Sequence, residues 1–502
     1  MISTILQEGL RKNPRKIAIY EKDKTFSYED LDRKVGQLAK GMKKFLHLEK
    51  GDVLAIQASN RIEFVWTLYA CWRLGVSVTT MNPALQVDEI KHQLENSGAK
   101  CFVYEGPCKE KARKALQLMK EKPDPVMLDN PDAIEIPFSS LFLDPGMPAQ
   151  KIDSETVALI IYTSGTTGKP KGVLLTHQNV FSMIHGVIES LHLDETDRSY
   201  LILPLFHVNS IHFTLSAPIF LGASVVLTNR FHPEEFLRNV ERFRPTYTVG
   251  VPTVYKILSD LSSEEIGKYD ISSLKFGLCG GAPLTESEFH RFQKLYPFQF
   301  LEAWGLSEAA ACSTSNPLRG TQKIGSIGIP LPGQQVKVVD EGGKEAPRGE
   351  RGELIVKGDV VMAGYLNDPE ATDEAIRVGW LYTGDIGYQD EDGYFYIVGR
   401  TKDIIIRGGI NIYPKQIEEV LYEISSIREA AVVGVPDEKY GEEVVAYVSV
   451  QEDDHLTEEV IINYCKEKMA NYKCPVKIHF LDALPKNSVG KIVKHELGKI
   501  TV

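Results

Sequence analysis

A run of hydroxyl, glycine and lysine residues after an apolar segment is the strongest chemical signal in this sequence. The apolar residues 159–162 lead into Thr163, Ser164, Gly165, Thr166, Thr167, Gly168, Lys169, Pro170, Lys171 and Gly172. The two inner glycines permit positive φ and let backbone N–H groups approach an anion closely, while the hydroxyls and lysines add donors and charge. The segment predicts a phosphate-binding loop at the end of a strand.

The spacing of this loop differs from that of a Walker A motif. The glycines and the first lysine read GxxGK, and Pro170 occupies the position where Ser or Thr would contact magnesium. A solvated loop without a ligand is the alternative that composition leaves open.

A second cluster combines an aromatic ring, a glycine and two carboxylates within residues 302–308. The indole of Trp304 has the face needed to stack on a purine, and Glu308 supplies the oxygen ligands that a hard cation prefers. The alternative is a helix start with Ser307 as its cap, and both can hold together. A further group of small residues, Gly280-Gly281-Ala282-Pro283, follows an apolar run and by itself indicates only a turn.

The elements that must position these groups alternate between helical and strand-like patterns from about residue 26 to 250. Ser27, with Asp30 three residues later, predicts a capped helix start, and residues 53–56, 101–104 and 224–227 read as buried strands. This alternation predicts layered α/β structure with largely parallel sheets. After about residue 323 short strands with Gly, Asp and Pro predict a β-rich subdomain, and a compact unit with its own helices and strands follows Lys402.

Composition excludes several classes of protein. The 502 residues carry a formal net charge of −11, which argues against nucleic acid as the main partner. Seven cysteines without a CxxC pair indicate reduced thiols rather than zinc or disulfides, which favours a cytoplasmic location. The N-terminus is not a signal peptide, and the most apolar stretch, residues 216–228, is shorter than the ~20 residues of a membrane helix.

Five motifs in order resemble the adenylate-forming enzymes, the family of acyl-CoA synthetases, aryl-CoA ligases, firefly luciferase and peptide-synthetase adenylation domains. They are YTSGTTGKPKG at 162–172, WGLSE at 304–308, YTGD at 382–385, GRTKDIIIRGG at 399–409 and PKNSVGK at 485–491. The resemblance covers essentially the whole chain. It implies a large N-terminal domain of α/β layers with a β subdomain, residues 1–400, and a small mobile C-terminal α+β domain, residues 401–502.

The resemblance also implies roles for individual residues in binding ATP and Mg²⁺. The loop from Thr163 to Lys171 would hold the β- and γ-phosphates, Ser307 would contact phosphate and Glu308 would bind Mg²⁺. Asp385 would accept hydrogen bonds from the ribose hydroxyls, because a carboxylate is a double acceptor, and Arg400 would be a second nucleotide contact. The adenine site would comprise Gly281, Ala282, Glu302, Ala303 and Trp304. Trp304 and Ser307 depart from the commoner Tyr and Thr of the family pattern, while keeping its chemistry.

Other implied roles concern the hinge, the acid and coenzyme A. Lys402 stands at the family's hinge position and Lys491 at that of the catalytic lysine of adenylation. His207 stands where an aromatic residue or His gates the acyl site, and Arg230 aligns with a basic position that contacts a CoA phosphate in some relatives. Gly408 and Gly409 resemble the glycines that let pantetheine pass close to the backbone.

The predicted activity is that of an AMP-forming acid–thiol ligase. A carboxylate attacks the α-phosphate of Mg·ATP to give acyl-AMP and pyrophosphate, and the CoA thiol then displaces AMP. The apolar character of residues 206–219 and 249–252 favours a fatty acid. Residues 206–210 lack a carboxylate to pair with an ammonium group, which disfavours amino acids. An aryl or phenylpropanoid CoA ligase, an enzyme that loads a carrier protein and a non-catalytic nucleotide-binding module are the alternatives. A homodimer is left open.

Overall fold

The bounds of the helices and strands come from a computed structural model, which describes residues 2–163, 170–281, 286–451, 456–486 and 492–498. The helices are α1 Ile5–Lys12, α2 Tyr28–Phe45, α3 Ile62–Leu74, α4 Val87–Ser97, α5 Lys109–Gln117, α6 His177–Ser190, α7 Ala217–Leu221, α8 Pro233–Phe243, α9 Pro252–Ser259, α10 Ser263–Ile266, α11 Glu286–Leu295, α12 Pro369–Ala375, α13 Pro414–Tyr422, α14 Glu458–Lys468 and α15 Lys494–Leu497.

The strands are β1 Ile17–Glu21, β2 Lys24–Ser27, β3 Val53–Gln57, β4 Ser77–Met81, β5 Cys101–Tyr104, β6 Asp124–Met127, β7 Ile136–Pro137, β8 Val157–Thr163, β9 Lys171–Thr176, β10 Arg198–Leu201, β11 Ser224–Leu227, β12 Tyr247–Gly250, β13 Phe276–Cys279, β14 Gln299–Trp304, β15 Thr314–Ser315, β16 Ile329–Pro330, β17 Gln334–Val339, β18 Gly352–Gly358, β19 Gly364–Tyr365, β20 Ile376–Arg377, β21 Trp380–Gln389, β22 Phe395–Arg400, β23 Ile405–Arg407, β24 Ile410–Ile412, β25 Ile427–Asp437, β26 Gly441–Val450 and β27 Lys477–Phe480.

Local sequence explains where α2 begins. The hydroxyl of Ser27 accepts from the backbone N–H of Asp30, and the Asp30 carboxylate accepts from the N–H of Ser27, which closes a capping box. One face of the helix is apolar and packs in the core; it includes Leu31, Val35 and Leu38. The predicted cap is confirmed.

Two sheets with parallel centres form the body of the molecule. Among the described residues, one has the order β16-β15-β14-β13-β12-β10-β11-β1-β2 and the other β19-β9-β8-β4-β3-β5-β6-β7. The runs β14-β13-β12-β10-β11-β1 and β8-β4-β3-β5-β6-β7 are parallel. The predicted α/β layering is confirmed, and Gly281, Glu308, His207 and Arg230 follow the carboxyl ends of β13, β14, β10 and β11.

The chain after β16 forms two smaller sheets. The order β17-β18-β21-β20, with β22 pairing β21, is antiparallel, as predicted for a β-rich subdomain. The last sheet, β24-β23-β26-β25 with β27 beside β26, has its own buried clusters built from residues between Ile405 and Leu497. The main core contains described residues up to Phe395, so the hydrophobic cores divide between β22 and β23. No helix in the described ranges is both long and apolar enough to cross a membrane.

Candidate active site

The two strands β8 and β9 form the base of the predicted phosphate loop. They pair antiparallel, with Thr163 opposite Lys171. The Nζ of Lys171 lies 3.1 Å from a carboxylate oxygen of Asp368 and 5.2 Å from the centre of the Tyr365 ring. The predicted contacts Ser164, Gly165, Thr166, Thr167 and Gly168 lie outside the described residues. Lys171 is therefore held beside β19 and the start of α12.

Tyr365 connects this lysine to the predicted magnesium ligand. Its hydroxyl donates to Oε1 of Glu308 at 3.0 Å, and the backbone N–H of Met362 donates to the Glu308 carbonyl at 2.9 Å. Burial raises the pKa of Glu308, against the opposing effects of hydrogen bonds and of Arg400. A carboxylate with one hydrogen-bonded oxygen keeps acceptor capacity for a hard cation, so the donor chemistry of Glu308 fits Mg²⁺.

The turn that carries Glu308 has unusual backbone geometry. A 3₁₀ turn, Ser307–Ala309, ends in Ala310 with φ 51° and Ala311 with φ 106°, a left-handed conformation that alanine rarely adopts. A Cβ on Gly305 would come within 2.4 Å of Ala311 and Cys312 atoms, so only glycine fits there. Strain of this kind persists where the surrounding structure holds the backbone, as at ligand sites.

Three predicted nucleotide residues meet around one carboxylate. Asp385 Oδ2 accepts from Nε1 of Trp304 at 2.9 Å, and Oδ1 accepts from Nε of Arg400 at 2.5 Å. Asp385 stands opposite Arg400 in the β21–β22 ladder and is buried. Since each of its oxygens already accepts one hydrogen bond and has a second lone pair, the group can still accept from a vicinal diol.

The remaining adenine-site residues lie at the ends of β13 and β14. Glu302 Oε2 accepts from the backbone N–H of Gly325 at 2.8 Å, and burial raises the pKa of Glu302 to about 7. Gly281 has a φ of 85°, a turn conformation that favours glycine. Ala303 is half-buried in β14, next to Trp304. Ala282 lies outside the described residues.

The predicted acyl segment follows β10 and is uncharged. His207 packs its ring on Phe206, with 4.4 Å between ring centres, and is followed by a π-helix, Ser210–Ser216. Burial lowers the pKa of His207 and of His212 to about 4, so both imidazoles are neutral at pH 7. His212 donates from Nδ1 to the carbonyl of Ala310 at 2.8 Å, which joins the π-helix to the turn after Glu308.

Arg230 lies apart from these groups, in a crevice of about 500 Å³ at the carboxyl ends of β1, β3, β5 and β11. Both positively and negatively charged side chains line the crevice. Arg61 is paired there with Glu63 and Asp129, at 2.8 Å in each case. In contrast, Arg230, Lys22 and Lys24 form no salt bridge with any residue in the part of the chain that the structure describes, so these cations remain available to an anion.

The predicted hinge lies in a short connection between the two sets of sheets. Lys402 is exposed in the 3₁₀ turn Thr401–Asp403 between β22 and β23. Gly408 and Gly409, with φ of 58° and 80°, form the tip of the β23–β24 hairpin. Lys491 lies outside the described residues, between Lys486 and Ile492, which form an isolated antiparallel bridge.

The structure therefore forms a polar site from two linked groups, which interact electrostatically through Glu308 and Arg400. One group contains Lys171, Asp368, Tyr365 and Glu308, and the other contains Trp304, Asp385 and Arg400. The structure does not bring His207, Arg230, Gly408 or Gly409 into hydrogen-bond contact with either group. Two residues of the linked groups were missed by the sequence analysis, Tyr365 and Asp368. Their only signal is a Gly-Tyr-Leu-Asn-Asp run at 364–368, which looks like an ordinary turn until β19 is seen beside β9.

Two family models match most of this chain. The model of AMP-binding enzymes matches residues 6–366, and that of the AMP-binding enzyme C-terminal domain matches residues 416–491. The chain belongs to the family of AMP-binding enzymes. The predicted enzyme class, an AMP-forming acid–thiol ligase, is confirmed as well.

Curated relatives of this chain are named for different substrates. A long-chain-fatty-acid–CoA ligase of Bacillus subtilis is 34% identical over 99% of this chain and 94% of its own. A feruloyl-CoA synthase of an Amycolatopsis species is 33% identical over 97% of this chain and 96% of its own. Because both relatives are about equally similar to this chain, sequence identity does not decide whether its substrate is an aliphatic or an aromatic acid.

Solved structures of relatives, with and without ligands, have the same fold. ATP-bound MatB from Rhodopseudomonas palustris superposes with a TM-score of 0.90 at 29% identity, covering 100% of this chain and 99% of its own. Apo MatB, with the same identity and coverage, gives 0.79. An o-succinylbenzoate CoA synthetase (MenE) from Bacillus subtilis, in complex with ATP and magnesium ion, gives 0.86 at 29% identity, covering 98% of this chain and 99% of its own.

Proposed function

We propose that this chain activates a fatty acid with Mg·ATP and transfers the acyl group to coenzyme A. The observation that carries the proposal is the polar site in which Asp385 holds Trp304 and Arg400 beside Glu308. Little covalent chemistry falls to the protein in such a reaction, so positioning and charge stabilisation are its tasks.

The nucleotide half of the proposal assigns each linked residue a task. Asp385 and Arg400 bind the ribose, and the Trp304 ring supports adenine. Glu308 holds Mg²⁺, which neutralises charge on the phosphates. Lys171 exchanges Asp368 for a phosphate oxygen when ATP enters, because solvent screens their ion pair and makes it easy to break.

The acid half rests on the neutrality of the acyl segment. Residues 206–219 contain no Asp, Glu, Lys or Arg, and His207 and His212 are neutral at pH 7 because burial lowers the pKa of each to about 4. A second carboxylate or an ammonium group on the acid would be left unpaired against this segment, at a cost of several kcal/mol. An aliphatic chain suffers no such penalty.

The thioester half requires the unit after Lys402 to turn. We propose domain boundaries of 1–400 and 401–502, supported by the division of the hydrophobic cores between β22 and β23. The present arrangement is assigned to adenylation, in line with the higher TM-score against ATP-bound than against apo MatB. Rotation at Lys402 would bring Gly408 and Gly409 to the site for pantetheine, while Arg230 binds a CoA phosphate.

A cytoplasmic location forms part of the proposal. All seven cysteines are buried and free, as expected where thiols stay reduced.

The decisive experiment measures pyrophosphate release by the full chain with Mg·ATP across a panel of acids. The panel contains saturated fatty acids of increasing length, ferulate and benzoate, dicarboxylates and an amino acid, each with and without CoA. The proposal expects the highest kcat/KM for one range of saturated fatty acids and CoA saturation of thioester formation. A preference for ferulate would replace the fatty acid by an aryl acid, pyrophosphate release without CoA saturation would indicate a carrier-loading enzyme, and ATP binding without turnover on any acid would contradict a ligase.

A further inference from the structure

A buried asparagine joins the carboxyl edges of the two large sheets at the acyl segment. Asn60 lies in the loop between β3 and α3 and is 3% exposed. Its Nδ2 donates to the carbonyl of Leu203 at 3.0 Å, and its Oδ1 accepts from the backbone N–H of Leu205 at 2.6 Å. Both ends of one carboxamide therefore hold the backbone on either side of Pro204.

Thr80 makes the next contact along the same loop. Its hydroxyl, at the end of β4, donates to the carbonyl of Phe206 at 2.8 Å. Residues 203–206 are thus held by three hydrogen bonds to two side chains, that of Asn60 after β3 and that of Thr80 in β4, and His207 follows them directly. The His207 ring makes no hydrogen bond with the residues the structure describes, so its place is set by its backbone and by the Phe206 ring.

The loop of Asn60 also contacts the Arg230 crevice. Asn229 donates from Nδ2 to the carbonyl of Asn60 at 3.1 Å and to the hydroxyl of Ser59 at 2.9 Å. Ser59 in turn donates to a carboxylate oxygen of Glu105 at 2.8 Å. One short loop therefore touches both the turn that carries His207 and the residue before Arg230.

We propose that Asn60 and Thr80 are positioning residues, which fix the turn carrying Phe206 and His207 and so set the entrance to the acyl site. This inference rests on the proposed function, in which that turn borders the acid. In these buried hydrogen bonds the side-chain group and the backbone group satisfy each other. Loss of the side-chain group therefore leaves a buried carbonyl or N–H without a partner. The turn would then relax, while the nucleotide contacts around Asp385 would remain.

Isosteric substitutions test the assignment with little change in volume. Asn60→Asp keeps the acceptor for Leu205 and replaces the donor to Leu203 by an oxygen, and Thr80→Val replaces the hydroxyl by a methyl group that cannot donate. Thr248→Val is the matched control, because Thr248 is buried in β12 and its hydroxyl donates to the carbonyl of Tyr200 at 3.0 Å, in a strand rather than in the turn.

The measurement is pyrophosphate release by the full chain, with the KM for the best acid of the panel and the KM for ATP determined separately. In Asn60→Asp and Thr80→Val we expect the KM for the acid to rise about tenfold and the KM for ATP to stay within about twofold. Thr248→Val is expected to leave the ratio of the two KM values unchanged. Thr80→Val provides the test by itself if Asn60→Asp fails to fold.

A double-mutant cycle separates positioning from a general loss of stability. If both residues act through the turn, their effects on the acid KM largely disappear in a His207→Ala background, with less than about a twofold further change. Equal changes in both KM values, an unchanged acid KM in both variants, an unchanged acid KM in His207→Ala, or full effects repeated in that background would overturn the inference. Inactivity of the unsubstituted chain on every acid would instead contradict the proposed function.

Discussion

At the scale of single residues, the site is defined by carboxylates in different environments. Asp385 lies between an indole N–H and a guanidinium group, whereas Glu302 accepts from a backbone N–H and lies in a buried setting that raises its pKa to about 7. Glu308 is intermediate in its hydrogen bonding and its burial: it accepts from one hydroxyl group, and burial raises its pKa. These different surroundings suit the three carboxylates to different roles in the site.

Asp385→Asn tests the nucleotide role of the best-connected carboxylate. The substitution removes the charge that pairs with Arg400 and sets an amide N–H against Arg400 or Trp304, so we expect the KM for ATP to rise at least about tenfold. Trp304→Phe removes one N–H donor and shortens the ring, but it leaves the Asp385–Arg400 pair in place, so it should raise the KM for ATP less. Pyrophosphate release at saturating acid measures both, and an unchanged KM for ATP in Asp385→Asn would contradict the assignment.

Glu302→Gln tests the raised pKa. Because the folded state binds this proton more tightly than the unfolded chain, Glu302 lowers stability progressively as pH rises from its unfolded pKa near 4.5 to about 7. Gln still accepts from Gly325 and carries no charge. We therefore compare the free energy of unfolding of the variant with that of the parent at each pH. The difference in favour of the variant is expected to be about 2 kcal/mol larger at pH 8 than at pH 5. Urea unfolding at both pH values checks this, and a pH-independent difference would refute it.

At the scale of elements, polar and cation–π contacts join the last sheet to the body. Lys415, in α13, donates from Nζ to the carbonyl of Ile397 in β22 at 2.7 Å. The Arg351 guanidinium lies 5.0 Å from the centre of the Tyr413 ring. Lys256 of α9 reaches the carbonyl of Arg428 at 3.4 Å. Polar contacts of this kind suit the proposed movement of the last sheet, since they can break and form again.

Lys415→Met is expected to shift the balance between the two half-reactions. It removes the donor to Ile397 while keeping an unbranched side chain, so the adenylation arrangement loses about 1 kcal/mol. Pyrophosphate release should slow a fewfold, and thioester formation from supplied acyl-AMP should not. Lys473→Met is the control, because Lys473 contacts Gln416 within the same unit at 3.4 Å. Equal slowing of both half-reactions would argue against a role in the arrangement.

At the scale of the whole molecule, the proposed mechanism uses one hinge to serve two reactions. The hydrophobic cores divide between β22 and β23, and Lys402 lies in the exposed turn between those strands. A charged side chain there stays solvated in either arrangement, and a turn of a few residues can absorb the change in φ and ψ.

Two substitutions are expected to separate the half-reactions. Lys491→Ala should abolish acyl-AMP formation and spare CoA transfer from supplied acyl-AMP, since we propose that its charge binds the carboxylate and α-phosphate in the first half only. Lys402→Pro fixes φ near −65° and should block the second half while sparing the first. Pyrophosphate and thioester assays on each variant measure the pattern. Equal loss of both halves in Lys491→Ala, or normal thioester formation in Lys402→Pro, would refute it.

The sequence by itself determined the class of reaction and the layered fold. Glycine, hydroxyl and lysine spacing after residues 159–162, the Ser27–Asp30 cap and the strands β5 and β11 depend on neighbours along the chain, and local sequence encodes such features. The order of five motifs added the family, because each motif is short and continuous.

Only the tertiary structure decided which groups meet. Trp304 and Asp385 are 81 residues apart, and Asn60 and Leu203 are 143 apart. Such contacts depend on strand order, as when β19 brings Tyr365 beside β9 and next to Glu308. The pKa shifts of Glu302 and His207 follow from burial, which is a property of the packed molecule. Residue types along the chain specify what chemistry is available, and packing specifies which residues perform it together.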